Sequence, residues 1–162
     1  MQNVIANIMN QLNEVFVEMD QRVLEESKKW ALERCEAMYN FLDSAEAKAM
    51  SSSEKYLKAF EVAGGKTWYN KFYGNDESTI LAFIEKNCKA IANKRNNSIA
   101  KKLEKAEVTE VIESQIVHTN DGFNGFFMIN TNKGSKKVTI ETVYAGGYNI
   151  QCLHLRVLVK VK

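Results

Sequence analysis

The chain has 162 residues, 45% of them hydrophobic, and this is enough for one folded domain with a buried core. It contains no proline, which favours long uninterrupted helices and strands over a loop-rich architecture. Residues 1–16 lack a basic start, a continuous apolar run and a small-residue cleavage site, and charges interrupt every later apolar run. We therefore expect neither a secretory signal nor a membrane span, and a cytoplasmic location.

The net charge of +2 conceals a gradient along the chain. Residues 1–50 carry five basic and nine acidic side chains, whereas residues 51–107 carry eleven basic and seven acidic ones. This gradient favours complementarity between neighbours or subunits, and the basic part could also meet an anionic partner. The three cysteines, Cys35, Cys88 and Cys152, are widely spaced and odd in number, which indicates reduced core residues rather than a disulfide framework or a zinc cluster.

An apolar stripe at three- and four-residue steps predicts a long first helix. The stripe weakens at Glu25, Glu26 and Ser27 and then resumes to Leu42, so one helix with a polar interruption and two helices in series both fit. Such a face either packs against a second copy or folds back on the helices of its own chain. The candidate self-association residues are Ile5, Ile8, Leu12, Phe16, Met19 and Val23.

The middle of the chain shows clear helix boundaries. Ser51 followed by Glu54 matches a capping box, and Gly64-Gly65 supplies a helix stop, so we predict a short helix over residues 52–62. The aromatic segment 66–76 follows, and it either forms a docking surface or fills the joint between helices, which is the more common use of Trp and Phe. Asp76 or Ser78 can cap a third helix that reaches about Lys105.

This third helix carries basic residues around its apolar stripe. A solvated helical surface is the common explanation, and contact with phosphates is the sharper one. The candidate binding residues on it are Lys94, Arg95, Lys101 and Lys102.

From Val108 onward the sequence changes to β-branched and aromatic runs separated by turn residues, which predicts four strands in a meander of hairpins. In the last strand one face is apolar and the other is cationic, so we expect one side of the sheet to pack on the helices. The cationic side could hold a phosphate backbone and stack a base, or its lysines could protect a free edge from aggregation. The candidate binding residues here are Tyr144, Tyr148, His154, Arg156 and Lys160, beside Lys136, Lys137 and Lys162.

The sequence contains no familiar catalytic arrangement. His118 and His154 have no second ligand at metal-type spacing, and no phosphate-binding loop, nucleophile elbow or zinc-protease motif occurs. The acidic residues of the predicted sheet are few and scattered. We therefore expect a non-catalytic protein with no cofactor and no metal.

The segment 121–162, DGFNGFFMINTNKGSKKVTIETVYAGGYNIQCLHLRVLVKVK, resembles the C-terminal segment of small uncharacterised tailed-phage proteins. The resemblance implies a viral accessory protein acting in the host bacterial cytoplasm, a class that commonly binds host or defence proteins. It supplies no site residues and does not cover the helical half.

The sequence as a whole predicts an α+β protein in which a helical region, residues 1–106, precedes an antiparallel four-stranded region, residues 107–162, and we expect the two regions to form one continuous folded unit. The preferred function is a homo-oligomer that binds a host or defence protein. The alternative function is binding of nucleic acid or a nucleotide through the basic helix and the cationic sheet face.

Overall fold

A computed structural model describes residues 2–119, 122–144 and 155–161 of the chain. The predicted α+β architecture is confirmed, with long helices followed by a four-stranded antiparallel sheet. The helices are α1 (Gln2–Leu42), α2 (Ala45–Ala49), α3 (Ser52–Ala63), α4 (Lys66–Phe72) and α5 (Glu77–Lys105). The strands are β1 (Val108–Thr119), β2 (Gly122–Thr131), β3 (Gly134–Tyr144) and β4 (Leu155–Val161).

Helix α1 is continuous through the polar stretch 25–27, where the sequence fitted either one helix or two helices in series. Glu25 is exposed, and Arg22 and Glu26 form an ion pair one turn apart on the helix surface. Ser27 lies on the other side of the helix and is fully buried. The polar stretch therefore divides between the solvent side and the packed side, and it does not end the helix.

The predicted helix boundaries are formed by side-chain caps. Ser51 Oγ accepts a hydrogen bond from the Glu54 amide at the start of α3, and Asp76 accepts one of 2.7 Å from the Thr79 amide at the start of α5. Helix α3 ends at Gly64, whose φ of 97° is in the left-handed region that favours glycine. A Cβ at this position would lie 3.2 Å from the Trp30 ring, so Gly64 is also a place of close approach.

The strands form a meander in the order β1-β2-β3-β4, and every neighbouring pair is antiparallel. The β2–β3 turn uses Gly134, with a φ of 110°. The predicted Gly146-Gly147 turn lies outside the described residues. Strand β1 has register shifts between Val108 and Glu110 and between Val111 and Glu113, and it is regular from Glu113 to Thr119.

The first hydrophobic core lies between the sheet, the N-terminal half of α1 and the C-terminal end of α5. It buries the α1 stripe against Ile99, Leu103 and the inner face of the sheet, where Phe123, Phe127, Ile129, Val138 and Ile140 are buried. Phe16 and Phe123 bring α1 and β2 together, with ring centroids 5.5 Å apart.

The use of this stripe as a self-association face is therefore corrected. Its six residues are at most 7% exposed, because the chain's own sheet and α5 cover them: Ile5, Ile8, Leu12, Phe16, Met19 and Val23. Of the two alternatives for α1, packing within the chain is the one that the fold adopts.

A second core lies at the other end of α1. There the C-terminal half of α1 packs against α3, α4 and the start of α5, with Met38, Trp68, Phe72 and Ile84 buried. Trp68, Tyr69 and Phe72 fill the joint between helices, whereas Tyr73 is 56% exposed at the end of the same segment. The aromatic segment is therefore mainly a packing element, and α1 is shared by both cores.

Candidate functional site

Helix α5 presents a row of lysines on the side away from the first core. Lys94, Lys101 and Lys105 are seven and four residues apart, so they lie almost in line along the helix, and Lys102 lies beside them. All four are exposed. We call these four residues the lysine stripe. Their side chains frame a shallow groove, whose other lining residues are Ala90, Asn93, Asn97 and Ser98.

The lysine stripe continues onto the sheet. Lys102, Lys105 and the half-buried Lys136 line one small depression together with Ala106 and Val161. Lys136 faces the helices because it pairs with the buried Ile129 across β2 and β3. The end of α5 and the adjacent strand therefore place a fifth ammonium group beside the lysine stripe.

The charge of this surface is poorly neutralised. Residues 90–106 contain the four lysines of the stripe, one acid, Glu104, and Arg95, which pairs with Asp20. Among the described residues, Lys94, Lys101, Lys105 and Lys136 form no ion pair. Asparagine and serine side chains between the lysines add neutral hydrogen-bonding groups. Such a surface attracts polyanions, and phosphate groups are the anions that rows of lysine most often contact in nucleic-acid complexes.

Arg95 does not belong to this surface, which corrects its assignment as a binding residue. Its guanidinium donates two hydrogen bonds to the Asp20 carboxylate, of 2.6 and 2.9 Å, and lies 3.9 Å from the Phe16 ring centroid. Its side chain is only 13% exposed. Arg95 connects α5 to α1 and is already paired, so it is unsuited to hold a phosphate.

Lys136 is the one described sheet candidate that lies beside the lysine stripe, and Lys160 lies elsewhere. Lys160 is exposed and pairs with Thr139, one position along from Ile140 and Val138, whose side chains are buried on the helix side of β3. Because side chains alternate along a strand, Lys160 lies on the face away from the helices. Tyr144 and Arg156 lie in β3 and β4, paired with Leu155 and Val143, and Tyr148 and His154 lie outside the described residues.

The outer face of the sheet contains an aromatic side chain that the sequence reasoning missed. Phe126 is half-buried in β2 and has the ammonium of Lys137 4.7 Å from its ring centroid. The alternation of Phe126 with the buried Phe127 was a sequence signal that could have placed it on the outer face. The exposed acids Glu110, Glu113 and Glu141 are also on strands here, so the outer face is of mixed charge.

An apolar groove of about 560 Å³ lies between α1 and α5, close to the boundary between the two cores. Val17, Leu24, Cys88, Ile91 and Ala92 are among its lining residues. Ion pairs stand at its two ends, where Lys28 binds Glu85 and Arg95 binds Asp20. Sequence spacing did not reveal this groove, because its two walls are distant in the chain.

Both thiols in the described part of the chain are partly covered. Burial raises the pKa of the Cys35 thiol and that of the Cys88 thiol above the ordinary value of 9.0, and at Cys88 the Asp20 carboxylate adds to the rise. Both thiols are therefore protonated at neutral pH, and a protonated thiol is a weak nucleophile.

No three His, Cys, Asp or Glu residues in the described ranges are grouped so that they could hold a metal ion. None of the helices that the structure describes has the length and apolar character needed to cross a membrane.

Comparison of the chain with family models, with curated proteins and with solved structures gives no match in any of the three cases.

Proposed function

We propose that this chain is a non-catalytic nucleic-acid-binding protein that contacts the phosphate backbone through the lysine stripe and Lys136. The observation that carries the proposal is a row of lysines that form no ion pair with any described residue, Lys94, Lys101 and Lys105, and that continues to Lys136 beside the end of α5. The resemblance to small tailed-phage proteins supports a viral accessory role in a bacterial cytoplasm.

The spacing of the lysines suits a polyanion better than a single nucleotide. The rise of about 1.5 Å per helical residue separates Lys94 from Lys101 by about 10 Å and Lys101 from Lys105 by about 6 Å. One phosphate cannot contact all three ammonium groups over that length, whereas successive phosphates of a strand can. None of the described residues that line the groove along the stripe is aromatic, so contacts with the phosphate backbone, without recognition of bases, are the expected mode.

The proposal is tested by fluorescence anisotropy with labelled single- and double-stranded DNA and RNA at several salt concentrations. Contact with about four phosphates predicts a log–log slope of affinity against salt of about −3 to −4. The double variant Lys101→Glu with Lys105→Glu should abolish most of the binding. Its matched control is Lys48→Glu with Lys66→Glu, which makes the same charge change at two exposed lysines of α2 and α4.

Two results would overturn the proposal. One is the absence of binding to any of the four nucleic acids at low salt, where electrostatic attraction is greatest. The other is equal loss of binding in the stripe variant and its control, because that result would mean that only net charge matters. Circular dichroism of each variant checks that the fold is retained.

A second candidate function, binding of a host protein, is favoured by the α1–α5 groove. Its apolar lining and its paired charges at both ends suit an apolar segment of a protein partner rather than an ion. Val17 on its rim is 67% exposed, which leaves an anchor point for such a segment.

The groove is tested by affinity capture from a nuclease-treated bacterial lysate with the unchanged chain and with Ala92→Glu. The supporting result is one partner that the unchanged chain retains at fixed stoichiometry and the variant loses. A set of captured proteins that is identical for both chains would contradict the groove as the binding site.

A further inference from the structure

The two edge strands of the described sheet, β1 and β4, differ in character. Among the described strands, β1 pairs with β2 alone and β4 pairs with β3 alone. Nine of the twelve residues of β1 are exposed, and at β4 the described Lys160 is exposed. Each edge therefore leaves backbone N–H and C=O groups without a partner strand, and such groups can pair with another strand.

The usual protection against strand addition is uneven between the two edges. Strand β4 contains Arg156 and Lys160, and a charged side chain on an edge strand opposes pairing with a strand of like charge. Strand β1 contains no Lys, Arg or Pro. Its two register shifts lie before Glu113, so the seven residues Glu113–Thr119 form a regular edge, from which Val117 exposes 51% of its surface.

The charges of the two edges are opposite. Strand β1 carries Glu110 and Glu113, both exposed, and no Lys or Arg, whereas β4 carries Arg156 and Lys160 and no acid. Lys160 belongs to a row that runs through Thr139 and Phe126 to Gln115. Gln115 and Glu113 are two residues apart in the regular part of β1, so Glu113 and Lys160 lie on the same face of the sheet at its two edges.

We propose that copies of this chain associate edge to edge, with β1 of one copy pairing with β4 of the next. In a four-stranded meander the first and last strands run in opposite directions, so two copies in the same orientation meet as an antiparallel pair. The acidic edge then meets a basic edge, as cross-strand pairing requires, whereas two like edges would repel. The interface is heterologous, so repetition gives a closed ring or an open array rather than a symmetric dimer.

The charged side chains of this association lie outside the lysine stripe, and the association does not depend on nucleic-acid binding. The lysine stripe lies on α5, on the helix side of the sheet, whereas Glu113 and Lys160 lie on the sheet face away from the helices. A copy added at β4 continues the sheet beyond the strand whose Val161 borders the depression of Lys102, Lys105 and Lys136.

Sedimentation velocity over a range of protein concentrations tests the proposal, with nucleic acid removed. The unchanged chain should form species larger than a monomer as concentration rises. Glu113→Lys and Lys160→Glu should each weaken association by about fivefold, since one attractive cross-strand pair becomes repulsive. The double variant, which exchanges the two charges, should restore association, because each edge again meets an opposite charge.

The matched control is Lys133→Glu, which makes the charge change of Lys160→Glu at an exposed lysine of the β2–β3 turn. It should leave association unchanged. A chain that stays monomeric up to its solubility limit overturns the proposal. So does association that Glu113→Lys weakens and Lys160→Glu does not, because that pattern shows that the β4 edge takes no part. Failure of the double variant to recover would likewise reject opposite-edge pairing.

Discussion

Arg95 and Asp20 connect α5 to α1 by two hydrogen bonds across 75 residues of sequence. Arg95→Ala should lower the free energy of unfolding by about 2 kcal/mol, because it removes two charge-assisted hydrogen bonds at a mostly buried side chain. Arg95→Lys should recover little of this loss, since an ammonium cannot reproduce the paired geometry. Urea unfolding of Arg95→Ala, Asp20→Ala and the double variant measures the coupling, and additive effects would contradict it.

The α1 stripe should contribute to stability and not to assembly. Leu12→Ala should cost about 3 kcal/mol of unfolding free energy, because the side chain is fully buried and leaves a cavity. Val17→Ala, on the exposed side of the same helix, should change it by less than about 0.5 kcal/mol. Thermal unfolding followed by circular dichroism compares the pair. Equal effects of the two substitutions would mean that the Leu12 face of α1 is not packed in the folded chain.

Alanine substitutions at Gly64 and Gly74 distinguish the cost of backbone strain from the cost of a steric contact. Both have positive φ, 97° and 78°, so Ala at either position should cost about 1 kcal/mol in backbone strain. At Gly64 the added Cβ also approaches the Trp30 ring to 3.2 Å, whereas at Gly74 it meets nothing within 4 Å. Gly64→Ala should therefore be the more destabilising by about 1 kcal/mol. The comparison is made by denaturant unfolding, and equal losses would show that the ring moves away freely.

The stabilisation of α5 by its N-cap, Asp76, should depend on pH. Hydrogen bonds from Thr79 lower the pKa of the Asp76 carboxyl below its ordinary value of 3.8. A lowered pKa in the folded state means that the ionised cap stabilises the fold above pH 3.8 and loses this effect as pH falls through the folded pKa. Asp76→Ala should lower Tm at neutral pH, and the difference should shrink in strong acid. A Tm difference that stays constant down to the lowest pH would contradict the role of the carboxylate.

The local features of the fold were predictable because their causes are local. Ser51 and Glu54 marked a helix start, Gly64 marked its end, and the β-branched run from Val108 to Thr119 matched β1. These signals depend on side chains within a few residues of one another. The alternation along the last strand likewise placed Val161 on the packed face and Lys160 on the exposed one.

The candidate site was predictable only in part, because the spacing of residues in the sequence does not show which distant residues pair with each other. Arg95 and Lys94 look equivalent in the sequence, yet α1 brings Asp20 to Arg95 and leaves Lys94 exposed. The burial of the α1 stripe likewise depends on where the sheet packs against the helix, and the sequence pattern does not specify that position. Lys136 and Lys160 were assigned together as sheet cations, and the strand register places them on opposite faces.

The position of α1 in both cores has a consequence for the order of synthesis. Gln11 and Ser114 touch across 103 residues, so α1 leaves the ribosome well before the strand that packs beside it. At a synthesis rate of about 5 to 20 residues per second, Ile8, Leu12 and Phe16 are made about 5 to 20 seconds before the strand that packs beside them. During that interval the nascent chain presents an apolar helix to chaperones and to other chains. A chain interrupted before β1 lacks the sheet side of this core and has only Ile99 and Leu103 of α5 to pack against the face, so incomplete products should aggregate more readily than the whole chain.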